Sequence, residues 1–155
     1  GLQGGPHNHT IAAICACLAE AKTKTFKNYA QQIVKNAKTL AHELMKFNFE
    51  IITKGTDNHL LLLDLRKKGI SGTLAQEILE EAGIVVNKNT IPYDTANFFN
   101  PSGLRLGTPA VTTRGMKEKE MKKIAFWIKE ILEKPNLASK MKAEIKKLAL
   151  NFPID

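Results

Sequence analysis

FNFEIITKGTDNHLLLLDL, residues 47–65, holds two apolar runs of strand length separated by a polar turn. FNFEIIT (47–53) and HLLLLDL (59–65) each suit a short strand, and residues 55–58 supply the turn chemistry between them. The pattern predicts an antiparallel hairpin. Before it, Phe26, Tyr29, Ile33, Val34, Ala37, Leu40, Ala41, Leu44 and Met45 recur every three or four residues, with Lys27, Lys35, Lys38 and Lys46 on the wet side. That spacing predicts one long amphipathic helix. After the hairpin, Ser71 is placed to cap a helix that runs to about Glu81 and ends at Gly83, with Leu74, Ile78 and Leu79 as its buried stripe. Short strands are expected at residues 84–86 and 104–107, on either side of a long loop. A helix with Met121, Ile124, Ala125, Ile128, Ile131 and Leu132 on one face breaks at Pro135. A last helix over residues 137–150 buries Leu137, Met141, Ile145 and Leu148. The expected class is α+β, with long N-terminal helices packed on a small, mostly antiparallel sheet and helices again at the C-terminus.

With 155 residues, 43% hydrophobic and 25% charged, the composition is that of a folded chain that can bury a core without a metal or disulfide. The net charge of +8 is distributed as +3 over residues 1–50, +1 over 51–115 and +4 over 116–155. Lysines on helical segments read as solvated faces, and only Arg66, Arg105 and Arg114 offer guanidinium groups, so no nucleic-acid partner is expected. Cys15 and Cys17, two apart on a helix, point in different directions and cannot bridge each other. They read as small core residues of a reduced, cytoplasmic protein. No signal pattern opens the chain and no apolar run approaches the ~18 residues of a membrane span, so no membrane partner is expected. Gly1 in place of methionine suggests that translation did not begin there. TIAAICACLAEA, residues 10–21, is apolar on nearly every side and so expects cover all round, from the rest of the chain or from a partner. Self-association as a homo-oligomer follows if the chain itself provides none.

LQGGPHNHT, residues 2–10, sets two glycines and a proline before a helix. Gly4 and Gly5 let the backbone approach an anion such as phosphate, although a plain Gly-Pro turn feeding a helix is the simpler reading of this motif alone. His7 and His9 lack further clustered ligands, so no metal is expected. Asp57, Asn58 and His59 stand at the mouth of a strand, where turn hydrogen bonding is a simpler reading than a triad. PSGLRLGTPA, residues 101–110, puts Arg105 on a short apolar strand, where an unpaired guanidinium is costly. Its partner is either an internal Asp or Glu, or a ligand carboxylate held by two parallel hydrogen bonds.

Four stretches, LQGGPHNHTIAAI, GTDNHLLLLDL, VNKNTIPYD and PSGLRLGTPAVTTRG, occur in an order that resembles the serine hydroxymethyltransferase family. The resemblance covers essentially the whole chain and only the C-terminal part of such an enzyme. It implies a place within a fold-type I pyridoxal-phosphate transferase of the three-layer α/β class. Residues 1–24 would be a phosphate-loop segment and buried helix of the large cofactor domain, and residues 25–155 the C-terminal small domain. It also implies exchange of serine and tetrahydrofolate for glycine and methylenetetrahydrofolate, with pyridoxal phosphate as cofactor and the N-terminal catalytic portion as partner. In that family Gly4 and Gly5 match a glycine pair that reaches the cofactor phosphate of the neighbouring subunit. Arg105 matches the arginine that binds the substrate carboxylate, and Asn89 and Phe99 match the folate side. TANFFNPSG departs from the family, with Phe98 and Asn100-Pro101 in place of the more usual proline-phenylalanine order. The Schiff-base lysine of the family lies in a TTTHK-type motif upstream of the position matched by Gly1, and none of the 20 lysines has that context. The chain is therefore expected to hold no catalytic residue of its own, to bind no cofactor alone and to be inactive alone. Two other readings compete. One is another fold-type I enzyme, an aldolase or aminotransferase, against which Asn89 in NKNTIPYD argues; the other is a non-catalytic, basic polyanion-binding module using Lys122 and Lys123.

Overall fold

The first well-packed element is a long helix that Thr23 opens, its hydroxyl accepting the Phe26 N–H at 3.2 Å. A computed structural model of the chain describes Leu2 and residues 4–154; the reading of Gly1 lies outside the described residues. Ten elements of α-helix and strand follow one another among them: α1 (Asn8–Ala21), α2 (Lys24–Lys46), β1 (Glu50–Ile51), β2 (Leu60–Asp64), α3 (Gly72–Glu81), β3 (Asn87–Asn89), β4 (Gly103–Gly107), α4 (Pro109–Thr113), α5 (Glu118–Glu133) and α6 (Ala138–Leu150). Short 3₁₀ turns occupy Ile52–Lys54, Arg66–Lys68 and Pro135–Leu137. No helix among the described residues is long and apolar enough to cross a membrane.

The four strands form one antiparallel sheet in the order β1-β2-β4-β3. The expected hairpin is therefore present, with Glu50 opposite Asp64 and Ile51 opposite Leu63. Its first strand is only two residues long, because Thr53 and Lys54 take positive φ and wind the chain into a 3₁₀ turn. Alternation along β2 and β4 sends Leu61, Leu63, Leu104 and Leu106 to one face, where they are buried. Helices α2, α3, α5 and α6 close over that core with Leu40, Leu44, Leu79, Met121, Trp127, Ile128, Ile131 and Ile145.

One polar group sits inside this packing. Asn36 on α2 is fully buried, donating from Nδ2 to Thr112 Oγ1 at 2.8 Å and to the Met116 carbonyl at 2.9 Å, while its Oδ1 accepts from Gln32 Nε2 at 3.0 Å. It locks α2 to the segment that follows β4, and Thr108 adds a hydroxyl bond to the Ile33 carbonyl at 2.9 Å. Asn36→Ala is expected to lower unfolding free energy by about 2 kcal/mol, since it strands buried acceptors and leaves a small void. Urea unfolding of the two proteins measures the difference.

Several expectations need correction. Residues 84–86 are not a strand. Gly83, at φ +91, ends α3 with the paired bonds Gly83 N–H to Glu80 O at 2.9 Å and Ile84 N–H to Leu79 O at 2.8 Å. Ile84 is thus part of the helix terminus, and the strand begins three residues later, at Asn87. Leu74 is 48% exposed; Gly72, Ala75 and Leu79 form the buried stripe of α3, with Ile78 half-buried beside it. The largest departure is α1, which has no buried residue. Ile11, Ile14 and Leu18 are more than half exposed, and Cys15 and Cys17 are exposed free thiols rather than core residues. The apolar pattern gives a helix here, as expected, but the described residues supply no cover for it.

Candidate functional site

Antiparallel partners share a face of the sheet, so the register decides which side chains meet. Arg105 on β4 lies opposite Leu62 on β2 and Asn87 on β3. Gly103, two residues earlier, lies opposite Asp64 and Asn89. Arg105, Asn87 and Asn89 are therefore on the face opposite the buried leucines, and Asn89 and Arg105 form a diagonal pair, roughly 7–8 Å apart in such ladders. Residues separated by sixteen positions in the chain meet because β3 and β4 flank the long loop.

Arg105 is exposed, and among the described residues no carboxylate lies within ion-pairing reach of it. Of the two partners left open by the sequence, the internal one is not realised among those residues. Arg66, by contrast, is committed: its Nη2 meets Asp64 Oδ2 at 2.7 Å, and this guanidinium holds the Asp64 carboxyl below the usual carboxylate range. Gly107 leaves the strand bare beyond Arg105, whereas Gly103 on the other side is buried beneath Ile91.

The loop from Thr90 to Ser102 is organised by Asp94. Its Oδ1 accepts from Ser102 Oγ at 2.7 Å and Ala96 N–H at 3.0 Å; its Oδ2 accepts from Ser102 N–H at 2.9 Å and Ile91 N–H at 3.4 Å. Those donors, Ser102 N–H foremost, hold the Asp94 carboxyl down at about 2. A depressed carboxyl stabilises the fold above its ordinary value of 3.8, and that contribution is lost as pH falls through about 2. A ¹³C titration of the Asp94 carboxyl is expected to show a midpoint near 2; a midpoint at 3.8 means the four bonds are not made.

Past Asp94 the loop carries Phe98 and Phe99, both more than 70% exposed, with their rings edge to face at 5.8 Å. The Phe99 carbonyl accepts from Lys88 Nζ at 2.8 Å and Thr73 Oγ1 at 3.3 Å, which ties the tip of the loop to β3 and α3. Lys88, Asn89, Thr90, Phe98, Phe99 and Pro101 line a recess of about 240 Å³. Asn89 and Phe99 thus share one recess, while Arg105 stands on the adjoining open strand face. Gly4 and Gly5 are not part of this group; both are exposed and precede α1. Asp57, Asn58 and His59 behave as a turn, with Asn58 Oδ1 accepting the Leu60 N–H at 2.9 Å and Asp57 pairing with Lys38 at 3.1 Å. No cluster of three potential metal ligands occurs among the described residues. Asp94 was missed as an organiser by sequence reasoning, since its main partner, Ser102, lies eight residues away and no local spacing marks the pair.

The sequence model of the serine hydroxymethyltransferase family matches residues 1–128. The chain belongs to the serine hydroxymethyltransferase family. It is similar to the serine hydroxymethyltransferase of Methanospirillum hungatei JF-1, at 51% identity over 99% of this chain and 38% of the relative. The serine hydroxymethyltransferase of Acidothermus cellulolyticus 11B is 48% identical over the same shares, 99% and 38%. The chain thus spans 38% of the length of these curated relatives, and the strand face and loop just described belong to that part of a serine hydroxymethyltransferase.

Proposed function

We propose that this chain is the C-terminal part of an enzyme that interconverts serine plus tetrahydrofolate with glycine plus 5,10-methylenetetrahydrofolate. The observation that carries the reading is Arg105: an exposed guanidinium on a rigid central strand, with no carboxylate of the described chain to neutralise it. Its planar fork takes the substrate carboxylate through two parallel hydrogen bonds. Asn89, a diagonal neighbour, and Phe99, across the recess, form the folate side, where an amide can hydrogen-bond a ring edge and an aromatic can cover its face.

Pyridoxal phosphate is the cofactor, and Gly4 and Gly5 reach its phosphate, in the neighbouring subunit. The residues fit such a group. Helix α1 opens without a side-chain cap or an acidic residue in its first turn. Its first amides are free to face an anion. When bound, the cofactor supplies the electron sink for bond cleavage at the amino acid. The residues of this chain orient the substrate by its carboxylate and shape the folate wall.

In the parent fold, of the fold-type I class, residues 1–24 belong to the large cofactor domain and residues 25–155 form the small domain. The uncovered apolar side of α1 packs there, and the same helix drives self-association when the chain is expressed alone. The Schiff-base lysine lies in the other portion of the enzyme, so the 155-residue chain alone is expected not to retain pyridoxal phosphate through gel filtration. Stoichiometric retention, with a lysine of this chain fixed to the cofactor by borohydride, would overturn that assignment.

A further inference from the structure

Between β3 and β4 the chain leaves the sheet at Asn89 and returns at Gly103, and these two residues are cross-strand partners. The loop between them therefore starts and ends at one place. A single carboxylate joins its ends: Asp94 takes the Ile91 N–H on the outgoing side and both the N–H and hydroxyl of Ser102 on the returning side. Ile91 is buried and lies over Gly103, where a Cβ would come within 2.4 Å of its Cγ2, so the outgoing side of the loop is seated on the start of β4. Tyr93, at φ +56 and 95% exposed, provides the tight reversal that turns the next residue, Asp94, inward. The tip is held separately, by Lys88 and Thr73 on the Phe99 carbonyl. Arg105 depends on none of this, since ladder pairing to Leu62 and Asn87 fixes it from both sides.

We propose that Asp94 is a positioning residue that holds the part of the loop carrying Phe99, and so the movable wall of the folate side, in place against Asn89 and Arg105, which the ladder fixes. The inference rests on the reading of these residues given under Proposed function. Asp94 touches no substrate; it acts through Ile91 and Ser102. Because the bonds it makes lie on the loop and not on the strand, its loss affects one substrate and not the other. An amide in place of the carboxylate accepts at one oxygen only, and its NH2 faces at least one of the backbone N–H donors of Ile91, Ala96 and Ser102, so at least one of those bonds becomes a repulsive N–H to N–H contact.

The test uses an enzyme in which this chain follows the N-terminal part of the Methanospirillum hungatei relative. Asp94→Asn is expected to raise the KM for tetrahydrofolate at least tenfold while the KM for serine stays within twofold. Ser102→Ala, which removes only the hydroxyl donor, is expected to raise it a few-fold, and Ser102→Thr to restore it. In the 155-residue chain itself, amide exchange is expected to quicken at Ile91, Ala96 and Ser102 but not at Leu63 or Leu104. Should Asp94→Asn fail to fold, the Ser102 pair decides the matter by the same KM split. An equal rise in both KM values, or none in either, overturns the role of Asp94 provided that Arg105→Lys raises the serine KM. Arg105→Lys without effect overturns the underlying reading instead.

Discussion

Arg105→Lys in the joined enzyme is expected to lower kcat/KM for serine by about 100-fold or more, with no change in the urea midpoint. Lysine keeps the positive charge but loses the planar fork, so two parallel charge-assisted bonds become one flexible contact. Each such bond is worth roughly 1.5–3 kcal/mol, and about 1.4 kcal/mol corresponds to a tenfold change. Stability should be indifferent, because Arg105 is exposed and pairs with no carboxylate among the described residues. The split between lost catalysis and retained folding distinguishes a substrate contact from a structural arginine such as Arg114, whose Nε and Nη2 hold the Phe152 and Ala149 carbonyls at 2.7 and 2.5 Å. A serine KM unchanged by Arg105→Lys would remove the carboxylate role.

The largest expected effect on stability is at Gly72, the first residue of α3. Its N–H donates to the Pro101 carbonyl at 2.7 Å, and an added Cβ would sit 2.4 Å from the Gly103 carbonyl oxygen and 2.9 Å from that of Pro101. Both obstacles are backbone. They can move only if β4 shifts or α3 slides away from its Ser71 cap, which accepts the Leu74 N–H at 3.2 Å. Gly72→Ala is expected to destabilise by about 3 kcal/mol or more, at or beyond the upper end of ordinary overpacking. Ser102 lies between the two obstructing carbonyls, so the same substitution should disturb the Asp94 bonds. Urea unfolding with amide exchange at Ser102 measures both; a loss below ~0.5 kcal/mol would mean that this contact is looser than its geometry.

Elements whose signals are local were legible in the sequence. Ser71 as a cap, Gly83 as a stop, HLLLLDL as a strand and the long helix through Leu40 all depend on residues within a few positions of one another. Arg105 drew notice for a different reason, the cost of an unpaired guanidinium in an apolar strand; the strand is present, but alternation turns Arg105 to the exposed face, where that cost does not arise. Features that depend on tertiary cover were not. The pattern of α1 is apolar all round, but whether it is buried depends on what lies beside it. Leu74 and Leu79 look equivalent in sequence, and only the placement of β4 and α6 decides that Leu79 is buried and Leu74 is not. The strand expected at 84–86 was displaced because the α3 terminus took Ile84, leaving the polar Asn87–Asn89 to pair with β4. Strand propensity disfavours such residues, and here the ladder overrides it.

As proposed, this chain contributes the carboxylate-binding arginine and the folate wall of a serine hydroxymethyltransferase, while the cofactor-anchoring chemistry resides in another portion. Turnover of serine to glycine with tetrahydrofolate, measured for the 155-residue chain alone and for the same chain joined to the N-terminal part of the Methanospirillum hungatei relative, tests it most directly. No turnover is expected for the chain alone, and turnover when joined, abolished by Arg105→Ala. Turnover by the isolated chain, or joined activity indifferent to Arg105→Ala, would contradict it.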